Sequence, residues 1–68
     1  MFVFILTDGD MKISIPPRVF VDRATARFTL EAEGWVFNDL CSGSNALWFY
    51  QGEHRSVECC AIKVEVVG

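Results

Sequence analysis

The chain has 68 residues, enough for one domain, and a domain of that size hides only about 60% of the surface its unfolded form exposes, so a disulfide, a metal or a second subunit commonly supports it. Six Lys and Arg stand against nine Asp and Glu, a net charge of −3, which offers no positive field to nucleic acid or anionic lipid and argues against both as partners. Hydrophobic residues make up 51%, with six Phe, two Trp and one Tyr, more ring surface than so small an interior holds, and part of it is expected to meet an interface or a ligand.

The opening FVFILT, residues 2–7, reads as a strand with apolar side chains on both faces: Phe2, Phe4 and Leu6 on one, Val3 and Ile5 on the other. Such a strand is central in a sheet or covered by a partner. The same stretch lacks the basic region and cleavage site of a signal peptide. It is also too short to cross a bilayer, which takes roughly 20 apolar residues. A cytoplasmic protein with reduced thiols and no membrane partner is the expectation. Asp8-Gly9, flanked by apolar runs, signals a hairpin into a second strand over 11–15, with Ile13 and Ile15 facing one way and Lys12 and Ser14 the other.

Pro16-Pro17 ends that run, since neither residue donates a ladder hydrogen bond. Residues 19–21 suggest a short strand and 22–25 a polar turn. Residues 26–32 alternate Ala26, Phe28, Leu30 and Ala32 against Arg27, Thr29 and Glu31, the pattern of a half-buried strand. A helix from Pro17 to Gly34 competes, with Phe20, Ala24 and Phe28 stacked at four-residue spacing, but Val19, Val21, Thr25 and Thr29 are β-branched and weigh towards strands. After Gly34, Trp35-Val36-Phe37 is a further short strand. The polar residues 38–45 read as a loop.

The stretch 46–66 reads as a hairpin. Leu47 and Phe49 alternate with Trp48 and Tyr50 on the first arm, and Cys60, Ile62, Val64 and Val66 alternate with Lys63 and Glu65 on the second, which places Lys63 and Glu65 on a wet face. Gln51 to His54 form the reversal, with Gly52 available for a positive φ. The fold expected is therefore all-β, a single domain over 1–68 built as a small antiparallel barrel or rolled meander of about six short strands. The alternative is α+β with one helix around 17–33.

Catalytic and metal chemistry find little support. Cys41, His54, Cys59 and Cys60 lack the paired spacing of a zinc site, and adjacent Cys59 and Cys60 diverge on a strand, so no metal is expected and each thiol reads as a small buried hydrophobe. His54 five residues from Cys59 could suggest an activated thiolate, yet a surface His on a turn and buried thiols on a strand are the simpler account. Asp8, Asp10, Glu31, Glu33 and Glu53 have ordinary turn and strand positions. Arg18, Arg23 and Arg27 read as solubilising cations rather than a phosphate site. No phosphate loop, nucleophile elbow or cofactor motif occurs.

The aromatic residues point further. Trp and Tyr favour places with one dry and one wet edge, so Trp35, Trp48 and Tyr50, with His54 beside them, are the candidate interface or ligand residues. The function expected is a small noncatalytic interaction domain that self-associates as a homo-oligomer through an aromatic-rich face and binds a further protein. The alternative is a small-molecule binder or shared-site enzyme whose pocket, lined by Trp48, Tyr50 and His54, lies at the subunit boundary.

Overall fold

The computed structural model describes residues 1–67. Five strands and one helix follow in the order β1 (Phe2–Asp8), β2 (Val19–Phe20), α1 (Arg23–Ala32), β3 (Trp35–Phe37), β4 (Ala46–Gln51) and β5 (Glu58–Glu65). The strands form one antiparallel sheet in the order β2-β1-β5-β4-β3. It is an open sheet with β2 and β3 at its edges, and α1 lies on one face, so the α+β form is the one adopted.

The 46–66 hairpin is present, with Ala46 opposite Ile62 and Tyr50 opposite Glu58. Its reversal is longer than four residues. The His54 N–H donates to the Gln51 carbonyl at 3.2 Å and the Val57 N–H to the His54 carbonyl at 2.9 Å, two successive turns. The left-handed positions lie elsewhere, at Met11 (φ 66°) and Gly34 (φ 98°), rather than at Gly52.

Asp8-Gly9 does reverse the chain. The Asp8 carboxylate accepts from the N–H groups of Asp10 and Lys12 at 2.8 and 3.0 Å, the local bonding that suits Asp to turns. Gly9 lies against β5 in this reversal, where a Cβ would be in ordinary contact, 3.4 Å from the Glu58 carbonyl oxygen. The expected strand over 11–15 reduces to a single bridge between Thr7 and Ile13. The chain then bends at a cis Ile15–Pro16 bond, and β2 takes the place beside β1.

The largest correction falls on residues 26–32, which are helical. Asp22 caps α1, its carboxylate accepting from the Thr25 N–H at 2.7 Å, which satisfies one of the free donors of the first turn. Gly34, in the left-handed region, donates to the Glu31 carbonyl and closes the other end. Between the caps, Ala26 and Leu30 stand one turn apart, and both are fully buried. Phe28, which gave the period-two pattern its weight, is 78% exposed. Ala24, Ala26 and Ala32 fit either period, and as strong helix formers they favour the helix once its ends are capped.

The core lies between α1 and the sheet: Phe4, Phe20, Leu47, Phe49, Cys59 and Ala61 meet Ala26 and Leu30, with Leu6, Trp35 and Phe37 at its margin. Leu30 sits at its centre without exposure. Removing its side chain leaves a cavity costing about 2–5 kcal/mol, comparable with the roughly 3–5 kcal/mol that a single core of this size supplies. Leu30→Ala is therefore expected to abolish cooperative urea unfolding followed by far-UV circular dichroism.

A pH dependence follows from two carboxylates. Hydrogen bonds from Thr25, the backbone N–H foremost, hold Asp22 below its usual range, and the Arg18 guanidinium does the same to Glu33. Groups depressed on folding stabilise the fold when ionised, and this contribution disappears as pH falls through their folded values, which lie below the ordinary carboxylate range. The urea midpoint should drop on acidification. Asp22→Asn, which keeps the cap oxygen but does not titrate, should show a smaller drop.

Candidate functional site

Strand parity and register sort every strand residue onto one of two faces. Phe4, Leu6, Leu47, Phe49, Cys59, Ala61, Trp35 and Phe37 point towards α1. The strand positions that alternate with these share the other face, which no helix among the described residues covers. Read across the strands, it has a row of Val19, Ile5, Ile62 and Ala46, a row of Thr7, Cys60 and Trp48, a pair of Val3 and Val64, and a row of Glu58, Tyr50 and Val36.

This face is apolar over nearly its whole extent. Cys60 and Thr7 are buried within it, and the Thr7 hydroxyl donates to the Asp8 and Cys60 carbonyls at 3.0 and 3.3 Å, so no bare polar group remains. Ile5, Ile62, Trp48 and Tyr50 are half-buried, while Val19, Val36 and Val64 are exposed. Among the described strand residues of this face, Glu58 alone is charged, and it lies at one end of β5. At the same end, Arg55 places its guanidinium 4.9 Å from the centre of the Tyr50 ring and donates to the Tyr50 hydroxyl at 3.2 Å.

The alternation over 60–66 acquires a different meaning here. Lys63 and Glu65 point to the same side as α1, beyond its reach, where the Lys63 amine stands 4.3 Å from the centre of the Phe2 ring. Ile62 and Val64, the dry positions of the pattern, point to the side without a helix. This half of β5 thus places its apolar residues where the monomer supplies no cover.

The four candidate residues do not converge. Trp48 and Tyr50 lie two apart on β4 and share the uncovered face. Trp35 points to the opposite side, where it and His54 line a cleft of about 230 Å³ with Glu33, Gln51 and Glu53. Tyr50 borders a separate cleft of about 340 Å³ with Asn38, Asp39, Arg55 and Glu58. Sequence reasoning selected the rings and missed Val3, Ile5, Val19, Ile62 and Val64. The signal for them was the two-faced apolar character of β1 together with the alternation in β5.

The thiols diverge as adjacent strand residues must. Cys59 faces the core, Cys60 the uncovered side, and both are buried, whereas Cys41 is exposed. Burial pushes the Cys59 thiol up to about 12 and the Cys60 thiol up to about 11. A nucleophilic cysteine needs the opposite shift. His54 is exposed in the β4–β5 reversal. Among the described residues, no three His, Cys, Asp or Glu side chains gather as a metal-holding group.

The arginines of the middle third are each engaged. Arg18 forms a two-pronged pair with Glu33 at 2.7 and 2.6 Å, Arg27 pairs with Glu31 at 3.0 Å and lies 4.1 Å from the centre of the Phe37 ring, and Arg23 donates to the Gly43 carbonyl at 3.0 Å. They clamp the helix to its surroundings rather than form a shared anion site.

Compared with known proteins, the chain matches no family profile, no curated protein and no solved structure. Among the described residues, no helix is long and apolar enough to cross a membrane.

Thiol chemistry checks this geometry directly. A disulfide-exchange reagent at pH 8 should titrate one thiol, Cys41, in the native protein and three after denaturation. Native reaction of two or three thiols would mean that β5 is not packed as described.

Proposed function

We propose that the protein is a small noncatalytic interaction domain that self-associates through the helix-free face of its sheet, with Trp48 and Tyr50 as its aromatic part. The observation that carries this reading is the apolar surface of Val3, Ile5, Val19, Val36, Trp48, Ile62 and Val64 on the side of the sheet opposite α1, which no described helix or strand covers. A sheet face of this composition ordinarily packs against a second layer. A further protein partner would dock beside or in place of the second copy. The three free thiols fit a reducing, cytoplasmic setting.

The pocket reading is less well supported. It needed Trp48, Tyr50 and His54 to line one site, and His54 lies with Trp35 towards the other side of the sheet. The elevated thiol values also leave the buried cysteines unsuited to nucleophilic work.

Sedimentation velocity over a concentration series is the test. The wild-type chain should sediment as an oligomer that dissociates on dilution. Val64→Glu, at a position 36% exposed in the monomer, should sediment as a folded monomer, and Phe28→Glu, on the helix, should leave the assembly unchanged. A wild-type chain that is monomeric throughout, or an assembly that Val64→Glu leaves intact, rejects the proposal.

A further inference from the structure

We infer that the helix-free face is occupied by a second copy of this chain, packed face to face about a two-fold axis that runs between the two sheets over Ile62, and that the assembly closes at two. This rests on the self-association proposed above and adds its mode and stoichiometry.

The alternative mode is edge pairing, and the edges are poorly equipped for it. β2 has two residues and β3 has three. The Asn38 N–H donates to the Trp48 carbonyl at 2.9 Å, and in an antiparallel ladder inward-bonded residues alternate. Val36 therefore also bonds inward, and the outward backbone groups of β3 are those of Trp35 and Phe37. Two residues are too short a template to extend the sheet into a neighbour.

The face offers more. Strands about 4.8 Å apart, with about 3.3 Å per residue, give the three long strands and two short edges roughly 400–500 Å². Two such faces bury roughly 800–1,000 Å² together, the low end of the range, which suits a weak pair that separates on dilution. Its charge also suits a like surface. The centre carries no charged side chain, so two copies meet without repulsion, and Arg55 and Glu58 bring both signs to the same end. A strongly acidic or basic partner would find no counter-charge across the middle.

Ile62 marks the axis because it is the middle of the part of the patch that carries no charge, across the strands and along them. β5 is the central strand of the five, and the row through Ile62 lies between those of Cys60 and Val64. Beside it on β4 is Ala46, whose small side chain leaves room for the two Ile62 side chains to pass each other at the axis. An isologous interface sets a residue on its axis against its own copy. One partner uses up the face, and α1 covers the other side of the sheet, so addition stops at two.

The test uses the wild-type chain. Sedimentation equilibrium gives the stoichiometry, and isotope-filtered NOE spectroscopy on an equal mixture of carbon-13-labelled and unlabelled chains gives the contacts. Two copies are expected, with cross-subunit signals from the Ile62 methyls to Ile62 and to Ile5 or Ala46, and none from Phe28. Ile62→Lys should weaken the pair by at least about thirtyfold, through loss of apolar contact and the apposition of like charges. A trimer or larger assembly, cross-subunit signals centred on Trp35 and Phe37, or an unaffected Ile62→Lys pair overturns this inference while leaving self-association standing. A monomer up to about 1 mM, where any association would be weaker than about −4 kcal/mol, overturns both.

Discussion

One helix cannot cover both faces of a sheet. The chain folds five strands and allots ten residues to α1, so one layer of side chains is sandwiched and the other is not. Ala26 and Leu30 seal the first against Phe4, Leu47, Phe49 and Ala61. The second is made of equally apolar residues and has no matching element. Burial of apolar surface is worth about 25 cal/mol per Å², and a chain of this size leaves unused what its uncovered face could contribute unless a second molecule supplies the cover.

Aromatic cation contacts at the borders show how the rest of the surface is managed. Arg27 lies over Phe37, Arg18 over Phe20, Arg55 over Tyr50 and Lys63 over Phe2. In each case a long cationic side chain shields a ring while its charge stays near water. This arrangement accounts for much of the aromatic surplus in the composition. It leaves Trp48, on the uncovered face, without such a cover among the described contacts, which sets the centre of that face apart from its margins.

Much of the sheet was legible because its determinants are local. The apolar run of β1, the hairpin of β4 and β5, the Asp8-Gly9 reversal and the break at Pro16-Pro17 all follow from neighbouring residues. The helix was not, because Ala26 and Ala32 counted as apolar positions of a strand although Ala carries little hydrophobic surface and fits a helix better. Phe28 completed the false pattern, and its exposure is a tertiary fact. The Asp22 cap and the Gly34 terminus were present in the sequence, but they bound a shorter helix than the Pro17–Gly34 alternative. For the site, alternation in β5 identified a dry side of the strand but not which side α1 would occupy, since that depends on where a distant segment lands. Trp48 and Tyr50 could be grouped by their spacing on one strand, whereas Trp35 and His54 could not be separated from them without the register of β3.

The position of the two apolar layers bears on stability as well as recognition. Cys60 and Thr7 are fully or almost fully buried on the side without a helix, so the floor of that face is already dry in a single copy and only its outer side chains remain wet. A partner docking there would meet a backbone that is already in place, since the strands and their ladders are formed within one chain. The entropic cost of docking falls mainly on the side chains of Trp48, Ile62 and Val64 and on rigid-body freedom. Because a ligand that binds only the folded state stabilises it by mass action, a partner on this face would raise the stability of a core that is small by itself. The two layers are joined through β5, which contributes Cys59 and Ala61 to the helix-covered core and Ile62 and Val64 to the open side.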